Sequence, residues 1–304
     1  MQPISLLVTV AGRDRPGVTA VIFAALAAHD VDVRDVVQTV SDRQARLAIL
    51  VDLRGDPAAL RHSVNSTAQA FGVESHVITA GPDAHVVHSV PRSRSRAGRS
   101  RAVAVGTRLR AGTLGDIAKR VADVGGSIES MWQSSDDTFT GVEMSLDGES
   151  SRLRPALIAS VGETGLDLAV GPAGARTRDR RLLVLDADAV LGASGSFPRV
   201  AGFVGAARQA GCSIAAVGRR RPSDRADLGL DAFVAMDDVD RTLRGLATDL
   251  DLPPSRIVVV GDPQDSTRLL TAVGTAIAVD THAAADVPGE PGFLDSALYL
   301  LARI

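Results

Sequence analysis

Residues 4–18 read ISLLVTVAGRDRPGV. The apolar, β-branched run 4–10 has the character of a strand. It delivers the chain into Gly12-Arg13-Asp14-Arg15-Pro16-Gly17-Val18, a turn that opens a helix over 17–29. Pro16 fixes φ at the helix start, and Gly17 leaves the N-terminal amides open to an approaching carboxylate. Asp14 could receive the ammonium group of the same ligand; the alternative is an ordinary cap in which Asp14 satisfies those amides itself.

Outward from this turn, strands at 31–40 and 44–53 surround Ser41-Asp42-Arg43, a helix covers 56–71 and a strand covers 73–79. The order is βαββαβ. It recurs about a hundred residues later as strand 102–106, helix 112–124, strands 127–134 and 139–146, helix 149–162 and strand 166–170. At the corresponding turn the second copy has Gly106-Thr107-Arg108-Leu109-Arg110-Ala111-Gly112, without the Asp or the Pro. It reads as a partner that completes an interface. Between the copies, PRSRSRAGRSR (91–101) carries arginines without an apolar cluster, as a solvated linker does; an anion- or partner-binding arm is the alternative.

After the polar stretch 171–180, strands at 182–187, 212–217, 231–235, 256–261 and 275–279 are interleaved with helices at 198–210, 238–250, 264–272 and within 291–302. That alternation predicts a parallel sheet wrapped by helices. The expected domains are therefore 1–84, a linker 85–101, 102–172 and 180–304. Leu182–Leu185 runs directly into Asp186-Ala187-Asp188, and the run 256–260 ends in Gly261-Asp262. Both place carboxylates at the carboxyl ends of parallel strands, where open α/β sheets bind ligands.

Composition narrows the possibilities. The chain has 304 residues, 45% of them hydrophobic but only 3% aromatic, so Val, Leu, Ile and Ala fill its cores. A formal charge of −3 provides no general basic surface for a nucleic acid. The single cysteine, Cys212, excludes an internal disulfide and fits a reducing cytoplasm. No apolar run approaches the ~20 residues of a membrane helix, and the start lacks a signal-peptide pattern. A soluble cytoplasmic protein without membrane or nucleic-acid partners is expected.

A βαββαβ unit with Gly-x-Asp-x-Pro-Gly after its first strand resembles an ACT domain, a regulatory module that binds amino acids at paired interfaces. The strand with DxDxV resembles the first motif of the haloacid dehalogenase (HAD) superfamily. Two ACT-like units followed by that motif resemble the bacterial phosphoserine phosphatases over nearly the whole chain. The resemblance implies two ferredoxin-like α+β domains, then a Rossmann-like α/β HAD domain. It points to an amino-acid ligand, serine or glycine, held by Gly12, Asp14, Pro16, Gly17, Val18, Asp35 and Gln38. It also implies a homodimer, because paired modules join side by side or exchange between chains.

By the same resemblance Asp186 is the nucleophile, Asp188 the general acid/base, and Asp186, Asp188 and Asp262 the Mg²⁺ ligands. The chain departs from the family pattern in four ways. Ser266 stands where a second late acid is expected, and Gly218-Arg219 where a phosphate-binding hydroxyl is expected. Arg241 is the sole candidate for the clamping lysine, and the span between Asp188 and the strand at 212 leaves no room for a helical cap. If each missing donor contributes roughly 10²–10³ in rate, two losses cost on the order of 10⁴–10⁶. An amino-acid sensor with a degenerate, capless HAD-like domain is expected; a feedback-regulated Mg²⁺-dependent phosphatase is the alternative.

Overall fold

The computed structural model describes residues 3–81, 84–86, 99–135, 138–173, 181–191, 197–219, 228–235, 239–281 and 292–304. Most of the arginine-rich stretch, the polar stretch from 174, Arg220, Arg221 and the segment 192–196 lie outside the described residues. The chain divides into two compact units, one of residues 1–100 and 106–156, the other of 101–105 and 157–304.

In the first unit, β1 (Ile4–Arg13), α1 (Val18–Ala27), β2 (Val31–Ser41), β3 (Gln44–Leu53), α2 (Pro57–Ala70) and β4 (Glu74–Thr79) form the predicted βαββαβ module. Its strands are antiparallel in the order β2-β3-β1-β4. Alternation turns Leu6, Val8 and Val10 inward together with Ile49, Val51 and Leu53. Asp42 and Arg43, both at positive φ (51° and 61°), make the two-residue turn whose twist matches an antiparallel hairpin. The first strand is three residues longer than its apolar run, because Gly12 and Arg13 still find partners in Ala45 and Gln44.

The same unit holds α3 (Ala111–Asp123), β6 (Ser127–Ser135) and β7 (Thr140–Asp147) of the second copy, whose first strand is β5 (Ser100–Gly106). Strands β2 and β6 pair antiparallel, Val37 with Trp132 and Thr39 with Ser130. Helices α1 and α3 pack together: a Cβ added to Gly115 would lie 3.3 Å from the Phe23 Cβ. Of the two expected arrangements, joining side by side or exchange between chains, the first is made within this one chain.

Beyond these elements come α4 (Ser150–Ile158), α5 (Val161–Thr164) and β8 (Asp167–Pro172), so the single helix expected over 149–162 is split. The break falls at Ser160, whose Oγ donates to the carbonyl of Leu157. In the second unit, β9 (Arg181–Asp186) is followed by a π-helical turn over Ala187–Leu191. Then come α6 (Phe197–Gln209), β10 (Cys212–Gly218), β11 (Ala232–Ala235), α7 (Val239–Asp249), β12 (Ile257–Gly261), α8 (Thr267–Thr271), β13 (Thr275–Ala278) and α9 (Phe293–Arg303).

Strands β11-β10-β9-β12-β13 are parallel, as the alternation of strand and helix predicts. Strand β8 adds to β13 antiparallel, and residues 101–105 of β5 and the last strand of the second copy are both counted with this unit by contacts. Every residue of β9 and β12 is buried, as central parallel strands covered on both faces require.

Candidate functional site

The turn after β1 is held from both sides. The Asp14 amide donates to the Arg43 carbonyl at 2.8 Å, which ties it to the β2–β3 hairpin. Gly17 is the N-cap of α1 at φ 92°, a left-handed conformation natural to glycine, with nothing near the missing Cβ. Gly17→Ala is therefore expected to cost about 1–2 kcal/mol through backbone strain alone, readable by denaturant unfolding. Gly12 is required for a different reason. A Cβ there would stand 2.7 Å from a methyl of Val73, so its bareness lets the strand pack against Val73.

Asp14, Arg15, Pro16, Gly17, Thr19 and Ala20 form one wall of a small cavity, with Gln38 beside them. The second module supplies Ala118, Val121, Ala122, Gly126, Ser127 and Ile128. Gln38, on β2, spans the two: its carboxamide oxygen accepts from Thr19 Oγ1 at 2.8 Å, and its Nε2 donates to the Ile128 carbonyl at 2.7 Å. Burial raises the Asp14 carboxyl above its ordinary value. The cavity measures about 10 Å³, room for about one water molecule.

Two candidates stand apart from it. Asp35 is buried on β2, and its Oδ2 accepts from the Val86 amide. Val18 is buried in the first turn of α1. The cavity lining thus unites Asp14, Pro16, Gly17 and Gln38 but omits Gly12, Val18 and Asp35.

In the second unit, Asp186 ends β9 and Asp262 follows β12, both essentially buried at 2% and 1% exposure. Asp186 Oδ1 accepts from the amides of Asp188 and Ala189, a geometry set by the π-helical turn. Its Oδ2 accepts from Ser266 Oγ at 2.7 Å. Asp262 accepts from the Gln264 amide on Oδ1, and from the Thr281 amide and hydroxyl on Oδ2, each at 2.8 Å. Asp188 is exposed and turns its carboxylate to the Arg219 amide at 2.9 Å.

Gly218 lies against Asp188. A Cβ there would come within 2.9 Å of the Ala187 Cβ, so a hydroxyl-bearing residue at 218 needs the π-helical turn to shift. Arg219 and Arg241 are exposed, the latter near the start of α7. Among the described residues no three His, Cys, Asp or Glu side chains gather as a metal-ligand set. Mg²⁺ asks for oxygen ligands at octahedral positions with several retained waters. Asp186 and Asp262, buried and each already accepting three hydrogen bonds, do not present such a set as placed.

Three residues of this region were not singled out by their position in the sequence as partners of the carboxylates. Ser266 stood out only as a departure from a pattern, and Thr281 follows β13 without any motif. Asp167 opens β8 and accepts from the Asp280 amide at 2.9 Å. Its carboxyl is pushed up to about 7, chiefly by burial, against the hydrogen bonds from the Asp280 amide and Ser296, with the charges of Asp280 and Asp262 adding to the rise.

These features define the class: a pair of ferredoxin-like modules joined within one chain, together with a parallel α/β unit. Residues 5–77 and 100–171 each match the ACT domain family, so the chain carries two ACT domains. It is a tandem-ACT protein similar to phosphoserine phosphatases. It is 35% identical over 190 residues to the phosphoserine phosphatase of Streptomyces coelicolor, covering 62% of this chain and 44% of that protein. With phosphoserine phosphatase SerB2 of Mycobacterium tuberculosis it shares 30% over 201 residues, covering 62% and 46%. The chain spans less than half the length of these curated relatives. A solved probable phosphoserine phosphatase from Vibrio cholerae is 16% identical at a TM-score of 0.37, covering 66% of this chain and 86% of that one. No helix among the described residues is long and apolar enough to cross a membrane.

Proposed function

We propose that this protein senses a small amino acid, serine or glycine, through its paired ACT modules, and that its HAD-like unit has little or no phosphatase activity. One observation carries the reading: the Asp14–Gly17 turn and Gln38 of one module face the α3–β6 turn of the other across a shared cavity. The first supplies a carboxylate for an ammonium group and a helix N-terminus without a side-chain cap for a carboxylate. The second closes the far side.

At about 10 Å³ the cavity is closed to an amino acid. Ligand entry must part α1 from α3 and open the Thr19–Gln38–Ile128 bridge, so binding draws on a conformational equilibrium and its apparent affinity is reduced accordingly. That coupling is what makes the pair a sensor. The site is complete within one chain, so a homodimer is not required for it.

Calorimetric titration with L-serine and glycine tests the reading. Saturable binding is expected, weakened at least about tenfold by Asp14→Ala, the scale of one lost charged hydrogen bond. No heat with any small amino acid would refute it.

The alternative is an active Mg²⁺-dependent phosphatase, favoured by Asp186 and Asp188 standing together at the end of β9. Against it, Asp188 is open to solvent, so water is not excluded from the place where an acid would act. A phosphate-release assay on phosphoserine and a small aryl phosphate separates the readings. Turnover abolished by Asp186→Asn establishes the enzyme.

A further inference from the structure

We propose that Ser266 and Thr281 seal the carboxyl end of the second unit's sheet, making Asp186 and Asp262 structural acceptors in a hydrogen-bonded polar core that takes up no Mg²⁺. Six donors converge on the two carboxylates: the amides of Asp188, Ala189, Gln264 and Thr281 and the hydroxyls of Ser266 and Thr281. All four carboxylate oxygens accept at least one of them. The two carboxylates, and Ser266 with them, are nearly inaccessible.

The seat of Ser266 is built by its surroundings. Its amide closes a turn on the Asp262 carbonyl at 2.7 Å, which carries the side chain back over β12. There Gly261 leaves the space it needs: a Cβ on Gly261 would stand 2.4 Å from Ser266 Oγ and 3.4 Å from the Asp186 Cβ. Serine is thus clamped between a bare backbone and the Asp186 carboxylate. A divalent cation must approach from an open side and keep part of its water shell. Here it would have to displace a hydroxyl that satisfies a buried acceptor, and such an acceptor left unpaired is costly.

This inference is independent of amino-acid binding by the ACT pair, and its failure would leave that reading untouched. Thermal unfolding of the whole chain is measured after EDTA treatment and again in millimolar MgCl₂, with calorimetric titration of MgCl₂ alone. The wild type is expected to give the same melting temperature in both and no saturable heat. Ser266→Ala and Thr281→Val are each expected to melt several degrees lower, whereas Thr281→Ser keeps the donor and melts close to the wild type. A saturable Mg²⁺ response of the wild type, or variants that melt with it, overturns the proposal. Should Ser266→Ala fail to fold, the wild-type titration and the two Thr281 variants decide.

Discussion

At a pH of about 8, Asp167→Asn is expected to melt above the wild type, with stability higher by up to about 4 kcal/mol, or at most roughly 10 °C for a unit of this size. The carboxyl is raised from 3.8 to about 7, chiefly by burial, against hydrogen bonds from the Asp280 amide and the Ser296 side chain that favour the charged form, with the charges of Asp280 and Asp262 adding smaller increments. Between those two values the folded state keeps the proton while the unfolded chain releases it. The folded state therefore binds more protons, and stability falls as pH rises from about 4 to about 7. Above that window both states are ionised and the full cost of burying the charge remains.

Asparagine keeps an oxygen for the Asp280 amide, which donates at 2.9 Å, and carries no charge to bury. Melting curves for both proteins across the window should converge at the acid end and diverge towards neutral pH. Parallel curves would show that Asp167 is solvated and not enclosed.

The second large effect lies between the ACT modules. Phe23 is fully buried in α1 against α3, where Gly115 admits its close approach. Phe23→Ala is expected to cost about 3–5 kcal/mol, the lost transfer free energy plus the cavity left behind. Because α1 and α3 also wall the Asp14–Gln38 cavity, the same substitution should loosen the joint that ligand entry must open. Urea unfolding followed by far-ultraviolet circular dichroism reads the first effect, and amino-acid titration reads the second. A loss below about 1 kcal/mol would mean that the helices close over the gap and that the modules are held chiefly by the β2–β6 pairing.

Much of this molecule was legible in its sequence because local rules and tertiary context agreed. The alternating apolar positions of β1, the Ser41–Arg43 hairpin and the buried runs of β9 and β12 each require what the fold provides. Where they disagreed, the tertiary structure decided. The helix expected over 264–272 shortens to 267–271, because the chain from Asp262 to Ser266 is drawn into a turn on the Asp262 carbonyl. Asp35, on the same strand as Gln38, is placed outside the cavity lining, with its Oδ2 accepting from the Val86 amide.

The sequence by itself determined the two βαββαβ repeats, the parallel sheet that follows them, and the presence of Asp14, Asp186 and Asp262 at strand ends, because hydrophobic period and turn chemistry are local properties. Only the tertiary structure decided that the modules join through β2 and β6 within one chain. It alone decided that β8 pairs with β13, that Ser266 and Thr281 occupy the carboxylates, and that burial raises the Asp167 carboxyl. Each of these depends on groups far apart in the chain brought within hydrogen-bonding distance, or removed from water, by the packing of the whole unit.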